Sequence, residues 1–265
     1  MTIFKTAILP YKYFFANLKI NLNINILVSL ILYGLFFLYS KGVVDRIIGS
    51  GNKDTLLMLK LIIALQNIVG AFLLSFCFRK LYITTICSNP FITKINIKFN
   101  IIESSSLKIR LFIIYIIIVQ ILLSSLSVIT NYDFTWLILI CILFPRYFVI
   151  FPAYILIERP DKNYIQSMLI LNEELHNKKI KLILITAITA VIFLSIQNIG
   201  RIILGGFISY NIIQSQGQEV TTGLMLSTVG LYDFITEYIG MIIYVKLSLI
   251  LYLKFKVQIP DTEFK

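Results

Sequence analysis

Little in this chain is equipped for the chemistry that most enzymes use. It has one histidine, three cysteines and only 13 acidic residues among 265. His176 has no cysteine or acidic ligand pattern around it, which leaves a solvated loop residue in place of a metal ligand. Cys77, Cys87 and Cys141 show no CxxC spacing, and two of them fall inside predicted spans, where they read as small buried apolar side chains. HExxH, G-x-S-x-G and P-loop patterns are all absent. No cofactor and no metal is implied, and a non-enzymatic protein is expected. Charge is scarce as well: 14% of residues are Asp, Glu, Lys or Arg, too few to coat a soluble chain of this length.

Apolar sequence is what the chain has in abundance. It is 58% hydrophobic with a mean hydropathy of +0.88, against roughly 45–50% apolar residues in a soluble domain. Several uninterrupted runs reach the roughly 20 residues needed to cross a bilayer core. The expected fold class is all-α, a polytopic transmembrane bundle of six helices forming a single integral membrane domain over residues 1–265. The net charge of +11 would suggest nucleic acid in a soluble protein. Here the positive residues sit in loops beside the spans, where they set orientation, so no nucleic-acid partner is expected. Heavy use of Ile, Asn and Lys matches the output of an AT-rich bacterial genome.

In residues 8–23, Tyr11, Phe14, Phe15, Leu18 and Leu22 share one helical face, and Lys12, Asn17, Lys19 and Asn21 occupy the other. Pro10 suits a first helical turn. The pattern predicts an amphipathic helix lying in the interface, aromatic face in lipid and lysines toward headgroups; the alternative is the first turns of span 1. Spans are predicted at about 24–40, 56–78, 107–129, 135–157, 180–200 and 230–253. The first apolar run ends without a small-x-small cleavage pattern, so it is expected to remain as a span. Asn67, Ala71 and Ser75 beside Gly70 make a small polar stripe suited to helix packing in span 2. Residues 95–101 alternate with a strand-like period and are expected to form an irregular interfacial segment. Trp136 marks the outer interface. Tyr164, Ile165, Met168, Leu169 and Leu175 suggest one apolar face in the charged segment 158–181, and residues 206–225 form a polar loop.

Basic residues set the orientation. The N-terminal segment, the 79–110 and 158–181 loops and the tail hold 17 Lys and Arg, while the 41–55, 130–134 and 200–226 loops hold 4. With that asymmetry both termini are expected in the cytoplasm, and the expected location is the inner membrane. The expected partners are the lipid bilayer and anionic headgroups at the cytoplasmic face.

Ionisable groups at membrane depth cost roughly 2.5–3.5 kcal/mol each on insertion scales, so each needs a partner or a wet cavity. Lys60, Arg146, Asp233, Glu237 and Lys246 are in that position. Asp233 and Glu237 stand four apart on one face of span 6, and Arg146 lies about 15 Å below Trp136, a depth at which it can meet Glu237. Pro145 and Pro152 each remove a backbone donor and clash with the carbonyl four residues back, so span 4 is expected to kink or open. Arg146, Asp233, Glu237 and Lys246 therefore form a candidate intramembrane polar cluster. It has two readings: an ion pair that fixes helix packing, or a polar cavity between spans 4 and 6 serving a carrier or lipid-handling function.

Around the same stretch the chain resembles a group of six-span bacterial membrane proteins, the YciC-like proteins and the membrane domain fused to some glycerophosphodiester phosphodiesterases. The likeness is carried by Phe151-Pro152-x-Tyr154-Ile155-x-Ile157-Glu158, by the Ile165-Gln-Ser167 segment and by the basic approach to span 5. Leu171-Asn-Glu-Glu-Leu175 stands where relatives usually have small or glycine-containing residues. The resemblance implies the six-span fold and its topology, with no phosphodiesterase domain attached and no site residues to carry over. A structural, assembly or envelope-maintenance role is the expected function.

Overall fold

The structure is a computed structural model. It describes residues 2–16, 31, 35, 79–85, 110–115, 117–119, 133–157, 164–215, 232, 235, 236 and 239–258. Asp233, Glu237 and Lys60 lie outside the described residues, as do the packing stripe around Asn67, residues 95–101 and nearly all of the predicted spans 24–40 and 56–78. Every regular element among the described residues is helical. In chain order these are α1 (Ile3–Ala16), α2 (79–85), α3 (Arg110–Val119), α4 (Asp133–Leu143), α5 (Phe151–Ile157), α6 (Tyr164–Glu174), α7 (Lys179–Ser215) and α8 (239–251). A π-helical turn, Arg146–Ile150, precedes α5, and another, Tyr252–Lys256, follows α8.

Among the described residues one helix is long and apolar enough to cross a membrane: His176–Gly206, which includes most of α7. Its threonines are accommodated by bonding back one turn, Thr186 Oγ1 to the Leu182 carbonyl and Thr189 Oγ1 to that of Ile185, both at 2.9 Å. The single Thr189 hydroxyl proton is shared between the Ile185 carbonyl and that of Ala7. The helix continues to Ser215, ten residues into the predicted polar loop. The sequence Phe207-Ile-Ser-Tyr-Asn-Ile-Ile213 keeps helix-compatible apolar residues past the two glycines, and side chains at Gly205 and Gly206 would meet nothing within 4 Å.

The inside of the bundle is α5. All seven of its residues are buried, as expected for a helix that is apolar on every side. An aromatic chain leads to it: Tyr82 meets Phe112 edge-on at 6.1 Å, and Tyr115 lies 6.0 Å from Phe151. The Tyr82 hydroxyl donates to Ser248 Oγ at 2.7 Å, which ties α2 to α8. Burial pushes that hydroxyl above its ordinary range, so it stays a donor.

α1 differs from expectation in its start and in the face it buries. Thr2 caps it, its Oγ1 accepting the Lys5 N–H at 3.4 Å, so the helix begins at Ile3 and Pro10 falls inside it. Tyr11 and Phe14, expected in lipid, are buried. The Tyr11 hydroxyl donates to the Thr189 carbonyl at 2.6 Å, and Thr189 Oγ1 returns a bond to the Ala7 carbonyl at 3.1 Å. A hydroxyl that finds a buried acceptor favours that face over an apolar surrounding. The outward apolar residues are Phe4, Ile8 and Phe15. Thr6 bonds to Lys254 and Tyr13 bonds to Lys246, so α1 follows α8 in the opposite direction for about two turns while packing on α7.

Two glycines permit close approach at α7, Gly240 of α8 against Phe193 and Gly200 against Tyr232. A Cβ at Gly240 would lie 2.8 Å from Phe193 Cζ, and one at Gly200 would lie 1.9 Å from the Tyr232 hydroxyl, which donates to the Gln197 carbonyl at 2.9 Å. Gly240→Val should therefore lower stability by roughly 1–3 kcal/mol through overpacking. Gly205→Ala, in open space, should raise it by about 0.5–1 kcal/mol through backbone entropy. Melting temperatures of the two purified variants should move in opposite directions from wild type.

Candidate functional site

The site begins with backbone chemistry in the stretch from Phe144 to Ile157. α4 runs to Leu143, Phe144 keeps the helical backbone bonds to the Ile140 carbonyl and from the Phe148 N–H, and the chain continues through Pro145 into the wide turn Arg146–Ile150. Pro152 has no N–H to offer the Phe148 carbonyl four residues back. That carbonyl takes hydroxyls from neighbouring helices in its place: Tyr115 donates to it at 3.1 Å, and Tyr244 donates to it from α8. The freed carbonyl becomes a junction at which α3 and α8 both donate to one oxygen of the π-helical turn. The spacing rule for proline locates the freed carbonyl at Phe148, but nothing in the sequence identifies Tyr115 and Tyr244 as its donors.

Arg146 lies on the π-helical turn and is 8% exposed. Its Nη1 donates to the Asn172 carbonyl of α6 at 3.1 Å, and its guanidinium carbon lies 5.7 Å from the centre of the Tyr147 ring. The described partner of this arginine is therefore α6. The Asn172 side-chain oxygen is itself buried and has no donor among the described residues. The helical segment there buries Ser167, Leu171 and Leu175 and leaves Ile165 and Leu169 exposed, so the apolar face drawn from sequence is divided between two directions. α6 folds back on the π-helical turn, which is how it comes to meet Arg146.

Lys246 goes elsewhere. It is 3% exposed, and its ammonium donates to the Tyr13 carbonyl in the last turn of α1 at 3.2 Å. A cation at the carbonyl end of a helix also meets the negative end of the helix dipole. Two turns farther along, Lys254 donates to Thr6 Oγ1 at 2.9 Å. Lys178 donates to the Phe255 carbonyl at 2.6 Å, capping the end of the second π-helical turn, and Lys256 pairs with Glu174. Of the predicted cluster, Arg146 is bonded to α6 and Lys246 to α1, and Asp233 and Glu237 lie outside the described residues.

What this arrangement does chemically is hold helices. Three of its five cations donate to main-chain carbonyls, one to a threonine hydroxyl and one to a carboxylate. Among the described residues no group of three or more His, Cys, Asp or Glu is placed to hold a metal. His176 is exposed on the short 3-10 turn before α7, and Cys141 is a buried free thiol. No family model, curated protein or solved structure matches this chain.

The junction at Phe148 generates a thermodynamic test. Tyr244→Phe and Tyr115→Phe should each cost about 1 kcal/mol in an otherwise wild-type chain. In a Pro152→Ala background the carbonyl regains a backbone donor, and each cost should fall below about 0.5 kcal/mol. Equilibrium unfolding of the set, read as a double-mutant cycle, measures that coupling.

Proposed function

We propose that this chain is a multi-pass inner-membrane protein, a six-helix bundle with both termini in the cytoplasm, whose role is structural or assembly-related and not catalytic. The observation that carries the reading is the fate of its costly polar groups. Arg146, Lys178, Lys246, Lys254 and Lys256 are each engaged by another element of the same chain, the pattern expected of cations that fix helices. The membrane itself is supported by α7. In its most apolar window only 33% of residues are buried, while Val191, Ile196, Ile199, Ile202 and Ile203 are exposed. Such a surface needs an apolar surrounding. The six-span topology rests on the hydropathy pattern, the loop charge asymmetry and the resemblance around Phe151–Glu158.

In a bilayer, transfer of apolar surface out of water contributes nothing to helix association, so close packing and interhelical hydrogen bonds decide it. Losing one buried cationic bond should then reduce the amount of protein before it alters anything else. Arg146→Gln is expected to lower steady-state accumulation severalfold, and the molecules that remain should support the wild-type phenotype in proportion to their number. Quantitative immunoblotting beside complementation of a deletion strain makes the comparison. Full accumulation with a lost phenotype would instead favour a carrier or lipid-handling protein.

A further inference from the structure

Resting on the membrane reading above, we propose that the outer face of α1 is a binding surface for anionic phospholipid, with the phosphate held by Lys5 and Lys12 and the acyl chains lying along Phe4, Ile8 and Phe15. The inner face of α1 is already occupied by α7 and α8. Its outer face carries two parallel rows. Phe4, Ile8 and Phe15 project within about 40° of one another around the helix, and Lys5 and Lys12 follow about 70° farther round. Phe4 is 58% and Phe15 70% exposed, and both lysines are exposed as well.

The contrast among the lysines supports this assignment. Lys178, Lys246, Lys254 and Lys256 are bound internally. No described hydrogen bond or ion pair engages the ammonium groups of Lys5 and Lys12 among the described residues, and these two border the apolar row. Seven residues apart, they are separated by about 10 Å along the helix, near enough for both side chains to bend toward one headgroup region. An apolar row edged by a basic row is complementary to the boundary between acyl chains and anionic headgroups. A protein partner would instead need acidic groups facing the lysines and an apolar ridge facing the aromatics.

The test uses the full chain with Trp136→Phe and a single reporter, Phe15→Trp, reconstituted in phosphatidylcholine vesicles. Brominated phosphatidylglycerol or brominated phosphatidylcholine is included at equal mole fraction. The reporter should be quenched more strongly by the anionic lipid, and its apparent affinity for that lipid should fall about thirtyfold in Lys5→Gln/Lys12→Gln. Lys5→Arg/Lys12→Arg should retain the preference. Equal quenching by both lipids, or a preference that survives the glutamine pair, overturns the proposal. A reporter quenched by neither lipid overturns it too, and indicates a protein or water at that face. A control tryptophan at Ile203 on α7 separates the two levels: if it is also unquenched, the membrane reading has failed, and if it is quenched while Phe15→Trp is not, only the lipid surface has failed.

Discussion

A buried ammonium or guanidinium group must replace its hydration shell, and in this protein much of the replacement is main-chain carbonyl. Arg146 takes the Asn172 carbonyl, Lys246 that of Tyr13 and Lys178 that of Phe255. Carbonyl acceptors have a consequence that carboxylates lack. Helix carbonyls are free only near helix ends and breaks, so each cation fixes where one helix ends against another. Lys246 ties the last turn of α1 to α8, Lys178 ties the π-helical turn after α8 to the start of α7, and Arg146 ties the π-helical turn before α5 to α6. The arrangement of the bundle follows from those three attachments, with Lys254 and Thr6 adding a fourth between the first and last described helices.

The proline break belongs to the same logic. Pro152 leaves the Phe148 carbonyl without its helical donor, and two tyrosine hydroxyls from different helices occupy it. A proline that would weaken an isolated helix thereby creates a point where two other helices, α3 and α8, share an acceptor. α5, buried on every side immediately after the break, is held in register by that junction and by the aromatic chain from Tyr82 to Phe151.

Much of this was legible in the sequence, and the unreadable part has a physical pattern. The helical class and the apolar character of α7 follow from runs of Ile and Leu, and the burden of Arg146, Lys246 and the two prolines follows from their residue types. The acceptors do not. A carbonyl has no letter in the sequence, so Asn172, Tyr13 and Phe255 are invisible there as partners. The face of α1 was assigned to lipid because its aromatics are periodic, yet Tyr11 turns inward because Thr189 offers its carbonyl. Periodicity identifies a face but does not choose between two apolar surroundings.

The central claim is that lysine-to-α1 bonds hold the first helix against the last. Amide hydrogen exchange of the full chain in lipid nanodiscs, wild type against Lys246→Met/Lys254→Met, tests it most directly. The account predicts that exchange in α1 accelerates at least about tenfold, since each lost bond involves a charged donor worth roughly 1.5–3 kcal/mol, while α5 and α7 keep their protection. Unchanged protection in α1, or an equal loss throughout the bundle, would contradict it.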